Sequence, residues 1–64
     1  MSYFLKWRPL GPGGESLPHV AWSTLDVAST ESEVAAHLST TERDPRKEYA
    51  IFGPDGLRRL EGRP

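Results

Sequence analysis

The chain has no cysteine. That excludes disulfides and thiolate zinc sites, two of the usual supplements for a small core. It has only two histidines, His19 and His37, too few for a closed structural zinc site without carboxylates. No stretch approaches the ~20 apolar residues of a membrane-spanning helix. The opening Met-Ser-Tyr-Phe-Leu-Lys-Trp-Arg meets charge too early to be a signal-peptide apolar core, so it reads as a strand of the mature protein. These absences lead us to expect a cytoplasmic protein. Net charge is also nearly absent: at −1, the chain has no general attraction for nucleic acid or membrane surfaces. One local absence stands out. From residue 9 to residue 41 there is no Lys or Arg, while Glu15, Asp26, Glu31 and Glu33 are present.

What remains is enough for one domain, residues 1–64. Below about 70–80 residues a single core rarely supplies more than ~3–5 kcal/mol. Without staples, such a chain relies on efficient packing or on association, and a homodimer is expected. Its core has to come from Tyr3, Phe4, Leu5, Trp7, Val20, Trp22, Leu25, Val27, Val34, Leu38, Tyr49, Ile51, Phe52, Leu57 and Leu60.

Residues 2–8 alternate, with Tyr3, Leu5 and Trp7 on one side and Phe4, Lys6 and Arg8 on the other, which predicts a half-buried strand. Residues 9–18 are rich in proline and glycine and predict a flexible loop. Residues 19–27 predict a second strand whose alternation slips. Val20 and Trp22 share one parity, Leu25 and Val27 the other, and a bulge near Ser23 and Thr24 would reconcile them. On this reading Trp7 and Trp22 are neighbours across two strands. Thr30-Glu31-Ser32-Glu33 is a capping box opening a helix over roughly 31–40, with Val34, Ala35 and Leu38 as its apolar stripe. Residues 41–47 are a mixed-charge connection. Residues 48–53 and 57–61 predict two strands joined by Gly53-Pro54-Asp55-Gly56, a type I turn with a glycine bulge. Residues 62–64 read as a frayed tail. The expected fold is α+β: a small, mainly antiparallel sheet of three or four strands with one short helix on one face, in the order β-β-α-β-β.

Candidate chemistry is sparse. Gly11-Pro12-Gly13-Gly14 lacks the Lys-Ser/Thr pair and the helix start of a phosphate loop, so it reads as turns. Glu33 and His37 share a helix face at a spacing of four. With His19 they would make a metal-dependent enzyme site, but the pair reads more simply as a surface ion pair. No catalytic residue, cofactor or metal is expected. Lys6 and Arg8 on the first strand, with Phe4 beside them, and one of Arg58 or Arg59 on the last would line the open sheet face if the terminal strands were neighbours. Such a face can bind nucleic acid. The leading expectation is a protein-binding accessory or assembly module without catalytic activity. Its partner would be a second copy or a larger protein, because sheet edges offer unpaired backbone groups. Nucleic-acid binding through Phe4, Lys6, Arg8 and Arg58 or Arg59 is the alternative.

Overall fold

Strand β1 (Tyr3–Pro9) sits inside the sheet, and its alternation assigns the two faces. The computed structural model describes residues 1–61. It contains β1, β2 (Ser23–Ala28), α1 (Glu31–Thr40), β3 (Lys47–Phe52) and β4 (Arg58–Glu61) in a four-stranded antiparallel sheet of order β2-β1-β3-β4. The domain is therefore α+β, with one short helix. The proposed tail at 62–64 lies outside the described residues. No helix among those described is long and apolar enough to cross a membrane.

The sequence leaves the strand order open, and the structure does not place the terminal strands side by side. A two-sided strand has room for only two neighbours. β1 pairs with β2 on one side and, after the chain has crossed through α1, with β3 on the other. The tight turn then leaves β4 no place except the outer side of β3. That turn forms as its residues dictate. The Gly56 N–H donates to the Gly53 carbonyl at 3.0 Å, and the Gly53 N–H donates to the Leu57 carbonyl at 2.9 Å. Gly56 takes φ +79, where a side chain would be strained.

Helix α1 starts where the capping pattern places it. The Glu33 N–H donates to Thr30 Oγ1 at 3.2 Å. The Glu33 carboxylate takes the Thr30 and Ser29 hydroxyls, at 3.0 and 3.4 Å. Val34 and Leu38, one turn apart, are buried against Leu5, Tyr49 and Ile51, with Tyr3, Trp7, Ala28 and Ala35 at the margin. An isolated helix of this length is marginal, and this apolar seam is what holds it.

Strand β2 is shorter than its sequence suggests. Residues 17–20 turn instead, with the Val20 N–H donating to the Leu17 carbonyl at 3.0 Å. The bulge falls at Leu25, between Asp26, which pairs with Leu5, and Thr24, which pairs with Lys6. Asp26 thereby takes the helix side and bonds His37, while Leu25 and Val27 stay 46% and 50% exposed. Neither joins the core, and Leu57, at 62% exposed, does not join it either.

Candidate functional site

The reverse face of the sheet carries Phe4, Lys6 and Arg8 from β1 and Glu48, Ala50 and Phe52 from β3, as the register requires. It is not an open face throughout. Residues 10–22 return over it as a strap. Leu10 N–H donates to the Arg46 carbonyl at 2.8 Å. Gly11 N–H reaches the Glu15 carbonyl at 2.9 Å, and Gly13 N–H reaches the Glu15 side chain at 2.8 Å.

Ser16 and Trp22 fasten the strap to the sheet. Arg8 and Glu48 are direct cross-strand partners. The Arg8 Nε donates to Glu48 Oε1 at 2.7 Å, and its Nη2 donates to Ser16 Oγ at 3.0 Å. The Ser16 hydroxyl in turn lies 3.0 and 3.3 Å from the two Glu48 oxygens. Arg58 reaches over from β4 to the second oxygen at 3.4 Å. Arg8 is 6% exposed and Glu48 only 1%. Burial pushes the Glu48 carboxyl up, but bonds from Arg8 and Ser16, the Arg8 charge and Arg58 outweigh it and hold the carboxyl below its usual range. No buried side-chain nitrogen or oxygen among the described residues lacks a partner.

Aromatic rings border this cluster. The guanidinium carbons of Arg8 and Arg58 lie 4.2 and 5.1 Å from the Trp22 ring centre. Trp22 also meets Phe52 edge to face, at 5.3 Å between centroids. The Lys6 ammonium sits 5.4 Å from the Phe4 ring and 5.2 Å from the Phe52 ring. These are distances at which a ring face attracts a cation.

The structure thus brings together Phe4, Lys6, Arg8 and Arg58, even though β3 separates the terminal strands. Arg8 is nearly buried and lies under the strap, not on the open part of the face where the sequence placed it, and its guanidinium is paired with Glu48 within the cluster. Arg59 turns to the hairpin loop, where its Nη2 donates to Asp55 at 3.0 Å. It packs so close to Gly53 that an added Cβ would sit 2.5 Å from its Nε. Trp22 and Trp7 are not cross-strand partners. Trp7 packs at the edge of the helix-side core, with the Lys47 ammonium 4.4 Å from its ring, and it stands opposite Ser23 and Tyr49.

Glu48, Ser16 and Trp22 were not legible as site residues. Glu48 would have emerged only from the β1–β3 register, and Ser16 carries no local signal at all.

His37 pairs with Asp26 through Nδ1, not with Glu33, whose carboxylate is engaged at the helix start. No three metal-ligating side chains converge among the described residues, so Glu33, His37 and His19 form no ligand set there. A separate shallow depression is lined by Glu42, Arg43, Asp44, Pro45, Lys47 and Tyr49. In it the Asp44 N–H donates to the Tyr49 hydroxyl at 2.9 Å. The Arg46 backbone N–H bonds the Asp44 carboxylate and, despite some desolvation, holds it below its usual range.

Among the described residues, the surfaces open to recognition include the Phe4–Lys6–Phe52 corner of the reverse face and the outer edges of β2 and β4. No protein-family model, curated protein or solved structure matches the chain.

Proposed function

We propose that the chain is a small protein-binding accessory or assembly module without catalytic activity, acting as a homodimer or docked on a larger protein. The observation that carries this reading is the free outer edge of β2, which ends the sheet and shows exposed Leu25 and Val27. Edge strands are commonly guarded by Lys, Pro or a covering element. Residues 23–28, Ser-Thr-Leu-Asp-Val-Ala, contain neither Lys nor Pro, and the bulge at Leu25, itself an edge guard, leaves residues 26–28 in regular pairing. The arrangement of the cations supports the same reading. Two of the reverse-face cations, Arg8 and Arg58, share Glu48, so less positive charge is left for a phosphate backbone.

The test is capture at low salt. The immobilised full chain is mixed with an extract of the cells that produce it, and the bound species are identified by mass. The reading expects a protein at defined stoichiometry, or a dimer of the chain itself by sedimentation. A strict monomer that retains no protein would overturn it.

A second reading, nucleic-acid binding, is favoured by one feature, the Lys6 ammonium set between the Phe4 and Phe52 rings. If this corner stacks bases, binding falls steeply with salt and Lys6→Glu weakens it. Absence of RNA or DNA binding at low salt would remove this reading.

A further inference from the structure

We infer that the outer edge of β2 receives an extended segment of a partner protein in which apolar residues alternate with Lys or Arg. The inference rests on the protein-binding reading and gives it a site and a partner chemistry.

Register locates the docking segment. Beyond the bulge, Asp26, Val27 and Ala28 pair regularly with Leu5, Phe4 and Tyr3. The ladder is continuous there, and its outer row of backbone groups has the spacing that strand addition needs. At Leu25 the ladder is interrupted, and only two pairs precede it, Thr24 with Lys6 and Ser23 with Trp7, so the addition is placed at the helix-proximal end of the strand. Val27, half exposed in the middle of this stretch, offers an apolar contact to an alternating partner.

Charge selects the partner. This end of β2 leads through Ser29 and Thr30 straight into the first turn of α1, where Glu31 and Glu33 are exposed. Asp26 adds a third carboxylate, shared with His37. The nearest cation in register is Lys6, opposite Thr24, and its ammonium lies over the Phe4 and Phe52 rings. A second copy docked by this same edge would offer residues 23–28, which hold no Lys or Arg, to that acidic end, whereas a basic segment would neutralise it. Electrostatic complementarity of this kind sets partner choice and docking rate.

The test uses a displayed library of random peptides about ten residues long, the length of a long strand, selected against the full chain at low salt. Enriched sequences are expected to alternate apolar residues with Lys or Arg and to lose affinity as salt rises. Two variants probe the site. Leu25→Lys with Val27→Lys installs edge guards at exposed positions, and Glu31→Lys reverses charge without touching the strand. Each is expected to weaken the selected peptides by about tenfold, equivalent to 1.4 kcal/mol. A urea melt followed by tryptophan fluorescence shows that each variant is folded, and if the double variant is not, Glu31→Lys alone decides.

Selection of acidic or uncharged sequences, or unchanged affinity in the folded variants, would overturn the inference. A dimer of the wild-type chain that the double variant abolishes would overturn it too, because the occupant would then be a second copy. A cellular protein retained equally by wild type and variants would end this inference but leave the protein-binding reading standing. Retention by neither, with the chain a strict monomer, would end both.

Discussion

On the α1 side the sheet is closed by Leu5, Ile51, Tyr49, Val34 and Leu38. On the reverse side it is closed by Arg8, Glu48 and Ser16 under Trp22. Both layers exclude water, by different physics. Apolar burial is non-directional and scales with area, at roughly 25 cal/mol per Å². A buried ion pair is directional, and it holds only if nearly every lone pair and proton finds a partner. The reverse layer meets that condition with four side chains drawn from β1, the strap, β3 and β4. The comparison shows how a domain with neither disulfide nor thiolate metal site anchors a long loop: a charge pair at the centre of the sheet takes the place of a second apolar core. It also shows what occupies the Arg8 guanidinium, which is buried against Glu48.

The largest expected effect breaks the reverse layer. Glu48→Ala strands the buried Arg8 charge, and breaking a buried pair from one side costs about 3–5 kcal/mol. That is comparable with the whole ~3–5 kcal/mol available to so small a core, so the variant is expected to be largely unfolded by circular dichroism at room temperature. A cooperative melt close to that of wild type would show that the cluster is decoration. On the helix side, Leu5→Ala is expected to cost about 2–5 kcal/mol through lost burial and the cavity left behind. The two faces then separate by salt. Added salt should change the cost of the Leu5 variant little. A partly exposed Arg58 makes the reverse cluster the more sensitive one, and urea midpoints at two ionic strengths check this.

Acid sharpens the same contrast. The folded-state pKa of Glu48 lies below its unfolded value, which is about 4.3 for a free glutamate. Between the two, the unfolded chain binds a proton that the folded chain does not, so stability rises with pH through that window. The contribution is complete above the unfolded value and is lost as pH falls through the folded one. Glu48→Gln removes the titration. Its deficit relative to wild type should therefore be largest near neutral pH and should narrow as pH drops below the ordinary glutamate range. Asp44 shifts in the same direction but is common to both proteins and cancels. A deficit that stays constant down to the acid transition would assign the stabilisation to packing.

The two faces also differ in how far sequence alone discloses them. The helix face was legible because its signals are local: alternation in β1, the Thr30 cap, the Val34–Leu38 repeat and the Gly53–Gly56 turn each lie within a few residues. The reverse face depends on pairings far apart in the chain. Arg8 and Glu48 are separated by |i−j| = 40, and Ser16 and Glu48 by 32. Nothing around Glu48 in the sequence distinguishes it from Glu42 and Asp44, the carboxylates of the adjoining charged connection. The early end of the apolar pattern in residues 19–22 had a cause outside the strand: Trp22 leaves the sheet ladder to pack on Arg8, Arg58 and Phe52. The strand order was hidden for a related reason, since the helical crossover, not the hairpin chemistry, decides which strand lies beside β1.

The smallest effect tests whether the helix face is as independent of the polar cluster as its composition implies. Thr30→Ala removes the oxygen that accepts the Glu33 N–H and leaves Glu33 to the Ser29 hydroxyl. Loss of such a cap costs about 1 kcal/mol. The cost should appear as a lower urea midpoint with an unchanged slope, because the same surface is exposed on unfolding. It should also leave the acid window of Glu48 in place, since no atom of the cap touches the Arg8–Glu48–Ser16 network. If the substitution moved that window, the two layers would be coupled through β1, and the cluster would have to be counted as part of one core.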